Sequence, residues 1–128
     1  MKVCIYIIKR EVDEGFIVRF NSSYGDGIAT YVGKRPIVNI EYFVEIDVKG
    51  IFKWGEDISR IENNQCKIEV MGKLVSLYGM LESVDEDGYT VLRLGQSIVP
   101  IETEGSPYPI GSYIKIQSPN VKLYDIGF

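Results

Sequence analysis

The sequence predicts an all-β, mostly antiparallel protein built around a small β-barrel. Nine Tyr and five Phe accompany many Ile and Val, and these residue types favour strands. Alanine, the best helix former, occurs only at Ala29. Short runs that alternate between apolar and polar residues point the same way. At 128 residues the chain has the usual size of one domain, so we predict a single domain over residues 1–128.

The N-terminal half is predicted to form a β-hairpin or sheet extension to that barrel. Residues 2–9 and 16–20 form two strands around a turn at 11–15, and residues 28–33 form a third. The clearest alternation lies at 41–48, where one face is apolar and the other carries Glu41, Glu45 and Asp47. At most one short helix is expected, near residues 56–64, because Ile58 and Ile61 are three residues apart.

The C-terminal half has the more regular pattern. Strands are predicted at 66–71, 73–83, 89–94, 97–102, 112–117 and 121–126, with an Asp-Gly hairpin turn at Asp85–Gly88. Three meandering strands, a connection and a closing hairpin over residues 73–126 resemble the strand order of an OB-fold. Gly79, in the middle of the long first strand, fits the bend that such a strand makes around a barrel.

Composition excludes most familiar catalytic chemistry. The chain contains no histidine, which removes His-based acid–base catalysis, Ser-His-Asp and Cys-His arrangements and most zinc sites. The glycine motifs that cradle phosphates or dinucleotides are absent from the sequence as well. We therefore predict a protein that is not an enzyme and that uses no cofactor and no metal.

The sequence also carries no signal for export. Cys4 and Cys66 lack the spacing of a metal or redox motif. The first residues do not show the pattern of a secretory signal, and no stretch approaches the roughly 20 apolar residues of a membrane-spanning helix. The predicted location is the cytoplasm, with no membrane partner.

The charge favours a basic protein as the partner. The net charge is −4 and the pI is about 4.9, which makes binding to a nucleic-acid backbone unfavourable and association with a basic protein favourable. In its overall character (compact, acidic, aromatic-rich and without a cofactor) the chain is similar to small acidic bacterial immunity proteins. That resemblance implies direct binding to a basic toxin domain, such as a nuclease, which the protein neutralises.

The candidate binding residues are carboxylates and one aromatic anchor. Trp54 has the residue type of an interface hot spot. The carboxylates are Glu41, Glu45, Asp47, Glu56, Asp57, Asp85, Glu86 and Asp87. Glu45 and Asp47 lie two apart on one strand face, a spacing compatible with a glycosidase pair, but a charged, solvent-facing strand side is the favoured interpretation.

An OB-like nucleic-acid-binding or accessory subunit is the alternative. Lysines along a groove would follow the phosphate backbone while tyrosines stack on bases. The residues concerned are Lys67, Lys73, Lys115 and Lys122 with Tyr78, Tyr89 and Tyr113. A dimer formed through edge strands such as 28–33 also remains open.

Overall fold

The structure is a computed structural model that describes residues 1–127. Within this range the chain forms twelve β-strands and no helix, so the predicted fold class is confirmed. The strands are β1 (Lys2–Val12), β2 (Gly15–Ser22), β3 (Gly25–Val32), β4 (Glu41–Val48), β5 (Ile51–Lys53), β6 (Ile58–Arg60), β7 (Lys67–Met71), β8 (Leu74–Val84), β9 (Tyr89–Leu94), β10 (Ser97–Glu104), β11 (Tyr113–Ser118) and β12 (Val121–Asp125). In residues 1–127 there is no helix long and apolar enough to cross a membrane.

The predicted N-terminal hairpin is part of a closed five-stranded barrel. β1, β2 and β3 form an antiparallel meander, and β4 pairs with β1. β12 completes the barrel by pairing in parallel with β3 and antiparallel with β4. The alternation predicted for β4 is confirmed, because Val44, Ile46 and Val48 are buried while Glu41 and Glu45 are exposed.

A second, nearly closed barrel is formed by the strands between β4 and β12. β8, β9 and β10 form another antiparallel meander, and β11 pairs with β8. β5 pairs in parallel with β10, and β6 pairs antiparallel with β11. A bridge between Trp54 and Ile58 joins the ends of β5 and β6. β7 pairs with the first half of β8, beside this barrel.

The two barrels share one hydrophobic core. A contiguous cluster of buried side chains includes Ile5, Phe20 and Leu123 from the first barrel together with Leu77 and Leu92 from the second. Burial of this apolar area is the main driving force for folding. The barrels are therefore packed against each other through the same core that fills them.

The segment considered for a short helix is a strand. Ile58–Arg60 is β6, and Ile58 is fully buried. The backbone amides of Glu56 and Asp57 both donate to the carbonyl oxygen of Lys53, which makes a tight turn from β5 into β6. Pairing of β6 with β11 therefore overrides the weak helical spacing of two isoleucines.

The strand order predicted for residues 73–126 is correct for the meander and wrong for its closing pair. The segments 112–117 and 121–126 were expected to pair with each other as a hairpin. Instead, β11 pairs with β8 and β6, while β12 lies in the first barrel. Pro119 in the two-residue connection explains the difference, because its fixed negative φ does not suit the first position of a two-residue hairpin turn.

Both glycines that the sequence singled out are required locally, Gly88 by its backbone conformation and Gly79 by a close approach between strands. Gly88 has a φ of +86° and ends the turn between β8 and β9. A Cβ atom at Gly79 would lie 2.5 Å from the carbonyl oxygen of Arg93. The long strand β8 can therefore pass close to β9 only with glycine at this position.

Candidate functional site

A cleft of about 390 Å³ lies between the outer faces of the two barrels. The first barrel contributes Glu45 and Asp47 from β4 and Tyr124 from β12, and Tyr124 pairs directly with Glu45. The second barrel contributes Tyr89, Ile98 and Pro100. We call this site the inter-barrel cleft.

The cleft is lined by apolar and acidic side chains together. Tyr89 is 51% exposed and Ile98 is 50% exposed, so the cleft presents apolar surface to solvent. The inter-barrel cleft includes an adjoining cavity of about 290 Å³, where Ile51 is 59% exposed beside Glu102. Exposed apolar area ringed by polar residues is typical of a protein-binding surface.

One acid of the cleft, Asp47, already forms an ion pair. Asp47 Oδ2 lies 2.6 Å from Lys49 Nζ. The hydrogen bond to Asp47 and its negative charge raise the pKa of Lys49. Glu45 and Glu102 have no ion pair among the described residues. The Met1 ammonium interacts with the charge of Glu45 at longer range.

A second groove, the Trp54 groove, lies next to the cleft on the second barrel. Trp54 lines it together with Asp85–Gly88 and Glu104. The indole ring is half-buried and packs edge-on against Tyr108, with 5.3 Å between the ring centroids. The Trp54 amide donates to the Glu104 carbonyl oxygen at 3.1 Å. This contact holds the Trp54 backbone beside β10, and the packing against Tyr108 orients the indole ring.

Asp85 stabilises the turn Asp85–Gly88, which contains three of the predicted acids. Asp85 Oδ1 accepts hydrogen bonds from the amides of Asp87 and Tyr89, each at 2.9 Å. Aspartate commonly organises turns in this way. Asp85 is therefore a structural residue, whereas Glu86 and Asp87 are exposed with their carboxylates free of ion pairs in the described part of the chain.

The cleft and the groove belong to one surface. Glu102 pairs with Tyr89 and Ile51, and Glu104 pairs with Lys53 two residues further along the same face of β10. We call this surface the acidic face; its carboxylates are Glu45, Asp47, Glu86, Asp87, Glu102 and Glu104. Lys53 lies 3.8 Å from Glu104 and Lys49 pairs with Asp47, so negative charge exceeds positive charge here.

The structure brings together five of the nine residues predicted for partner binding, plus the supporting Asp85. Glu45, Asp47, Trp54, Glu86 and Asp87 lie on the acidic face. The sequence did not single out Ile98, Pro100, Glu102, Glu104 or Tyr124 for this role. The alternation of Ile98, Pro100, Glu102 and Glu104 against buried Val99, Ile101 and Thr103 is the signal that would have found most of them.

The remaining predicted acids lie elsewhere. Glu41 is at the far end of β4, where its carboxylate is 3.8 Å from Lys2. Glu56 and Asp57 line a different cavity with Lys115. Asp57 also has a structural task, because its Oδ2 accepts a hydrogen bond of 2.8 Å from the Lys53 amide.

The lysines and tyrosines of the alternative interpretation are only partly assembled. Lys67, Tyr78 and Lys115 form a row across β7, β8 and β11, with each ammonium less than 6 Å from the Tyr78 ring centroid (5.7 and 5.3 Å). Lys67 is already bound to Glu69 at 2.6 Å, and this contact lowers the pKa of Glu69. Lys122 lies in the first barrel, 2.6 Å from Glu14, and Tyr89 lies in the inter-barrel cleft.

Residues 1–127 contain no group of three or more His, Cys, Asp and Glu side chains arranged to hold a metal ion. A scan against protein-family models found no match to the chain, and searches of curated proteins and of solved structures found none either.

Proposed function

We propose that this chain is a non-enzymatic protein-binding module that neutralises a basic toxin domain by direct contact, as a bacterial immunity protein does. The observation that carries the proposal is the acidic face. It combines an aromatic anchor, exposed apolar side chains and unpaired carboxylates on one continuous surface.

The chemistry of this surface favours a protein over a nucleic acid. Tight interfaces depend on a few aromatic and apolar anchors, which Trp54, Tyr89 and Ile98 supply here. The surrounding carboxylates would attract a basic partner and raise the association rate. They would repel a phosphate backbone, which needs a basic surface.

The strand pairing supports an OB-like description of both barrels. Each has an antiparallel three-stranded meander whose third strand pairs in parallel with a short strand. In OB-folds the face of strands two and three binds ligands. The corresponding face of the second barrel is β9 with β10, and it carries the cleft residues Tyr89, Ile98 and Glu102.

A charge-reversal experiment tests the proposal. The face variant carries Glu45→Lys, Asp87→Lys and Glu102→Lys; the control carries Glu11→Lys, Glu41→Lys and Glu62→Lys. All six positions are exposed, and the two variants have equal net charge. The variants differ in that only the first three positions lie on the acidic face. Tagged forms of the wild type and both variants are used to capture partners from lysate of the source cells, with washes at low and high salt.

The expected result is one basic protein that survives the salt wash with the wild type and the control and is lost with the face variant. With the purified partner, the face variant should bind about 100-fold more weakly. Trp54→Ala should cost at least ~2 kcal/mol of binding free energy, since a buried aromatic anchor dominates such interfaces. Equal partner binding by the face variant and the control would refute the proposal.

The alternative is an OB-like nucleic-acid-binding or accessory subunit, which the row of Lys67, Tyr78 and Lys115 favours. Its affinity would fall steeply with salt because phosphate contacts release counterions. Nucleic acid that is retained at low salt, and that the Lys67→Glu/Lys115→Glu variant no longer retains, would support it over the immunity function.

A further inference from the structure

The two barrels are built from strands in the same order and with the same pairing directions. β1, β2, β3 and β4 correspond to β8, β9, β10 and β11: each set is a meander whose first strand also pairs with the fourth. A fifth strand then lies parallel to the third and antiparallel to the fourth. β12 occupies this position in the first barrel, and β5 with β6 occupies it in the second.

Strand lengths and connections repeat along the chain. Gly25–Val32 and Ser97–Glu104 are equally long, and the hairpins that lead into them are closed by the pairs Ser22–Gly25 and Leu94–Ser97. The connections 33–40 and 105–112 have equal length, as do 49–50 and 119–120. Val12-Asp13-Glu14 and Val84-Asp85-Glu86 occupy matching places at the ends of β1 and β8.

Corresponding segments of the two units contact each other. The Gln96 amide donates to the Tyr24 hydroxyl oxygen at 3.0 Å, and these residues of the two equivalent hairpin turns are 72 positions apart. The Lys49 amide donates to the Asn120 carbonyl oxygen at 3.1 Å, so the two connections before the fifth strands also lie side by side. Contact between the same elements of two units is the mark of an approximate twofold axis.

We infer that the chain consists of two copies of one five-stranded unit that have exchanged their fifth strands, as in a strand-swapped dimer fused into a single chain. The strand that follows β4 completes the second barrel, and the strand that follows β11 completes the first. Each barrel is therefore completed only by the other half of the chain.

Neither connection has the backbone conformation of a two-residue hairpin turn. A two-residue hairpin turn of type I′ or II′ needs a positive φ at its first residue. Pro119 is fixed near −65°. Lys49 also has a negative φ, since Asn39 is the one non-glycine residue with positive φ in the described range. Neither connection folds back as a hairpin, and the chain continues into the opposite barrel.

The exchange also holds the inter-barrel cleft together. Asp47 on the first barrel and Ile51 on the second are separated by only three residues, and both line the cleft. The two walls are thus joined through the crossing connections. This inference concerns the fold and holds whether or not the cleft binds the partner proposed above.

Disulfide trapping in the full chain tests the exchange, with Cys4 and Cys66 first replaced by serine. Val48 pairs with Val121 in the exchanged arrangement. The Lys49–Asn120 hydrogen bond makes this a close, non-hydrogen-bonded pair, which suits a disulfide. Ile46 and Lys53 lie in different barrels here, whereas a returning hairpin through residues 49–50 would place them opposite each other.

We expect V48C/V121C to form an intramolecular disulfide in monomeric protein and I46C/K53C to form none. The opposite pattern would overturn the inference. A P119N/N120G substitution, which supplies a hairpin-forming Asn-Gly turn, should produce a measurable I46C/K53C disulfide. If it produces none, Pro119 does not direct the exchange.

Discussion

The hydroxyl group of Tyr31 donates a hydrogen bond of 3.3 Å to Asp125 Oδ2, across 94 residues of sequence. Tyr31 lies in β3 and Asp125 in β12, so this contact joins the meander of the first barrel to the strand it receives from the far end of the chain. Tyr31 is only 5% exposed. Burial, the charge of Asp125 and the neighbouring Tyr42 together raise the pKa of Tyr31 to about 12.

This contact makes stability depend on pH in the alkaline range. The folded-state pKa of Tyr31, about 12, exceeds the ordinary value of 10.0, so the folded protein holds this proton more tightly than the unfolded chain. The contribution of Tyr31 is complete below pH 10 and is lost as the pH rises through 12. Tyr31→Phe should lower the free energy of unfolding by about 1 kcal/mol at pH 7. This difference from the wild type should shrink between pH 10 and 12, where the Tyr31 contribution is lost.

Urea unfolding at several pH values measures this difference. Tyr113→Phe, on β11 of the second barrel, serves as the control for removing a tyrosine hydroxyl outside the Tyr31–Asp125 contact. A Tyr31→Phe difference that stays constant from pH 9 to pH 12 would show that Tyr31 does not titrate differently in the folded protein.

Substitutions in the turn Asp85–Gly88 should show which of its acids stabilises the fold. Asp85→Ala removes the acceptor of two amide hydrogen bonds, and we expect it to lower the free energy of unfolding by about 1–2 kcal/mol. Glu86→Ala, at the adjacent exposed position, should change it by less than about 0.5 kcal/mol. Thermal and urea unfolding of both variants check this, and equal stability of the two would argue against an organising role for Asp85.

Two buried threonines should behave as a coupled pair. Thr90 Oγ1 and Thr103 Oγ1 lie 2.8 Å apart, and both are within hydrogen-bond distance of the Gly88 carbonyl oxygen. Because each hydroxyl has a single proton, one of them donates to the carbonyl oxygen while the other donates to its neighbour. Thr103→Val leaves the buried Thr90 hydroxyl with one partner fewer, at an expected cost of about 1–3 kcal/mol. The double variant Thr90→Val/Thr103→Val should cost less than the sum of the single variants. Additive losses in urea unfolding would show that the two hydroxyls do not interact.

Local sequence patterns predicted the strands well but not their long-range partners. Alternation identified β4, and Asp-Gly identified the turn before β9, because both depend on neighbouring residues. The parallel pairs β3–β12 and β5–β10 join distant segments, and no local pattern encodes them. The one local signal was Pro119. It occupies the first position of a two-residue connection, where it disfavours a hairpin between β11 and β12. Only part of the acidic face was predicted from the sequence. Glu45 and Glu102 share a surface because β10 lies beside β4, and the sequence did not predict that arrangement.

The contact between the two hairpin turns gives the most direct thermodynamic test of how the barrels meet. Gly95 has a φ of +63°, and a Cβ atom there would clash with the ring and hydroxyl of Tyr24. Gly95→Ala therefore combines backbone strain, about 1 kcal/mol, with a steric conflict between the barrels. In a Tyr24→Ala background the conflict disappears and the strain remains. A double-mutant cycle in urea should give an interaction free energy of about 0.5–3 kcal/mol. A value near zero would mean that Tyr24 and Gly95 are not in contact in solution.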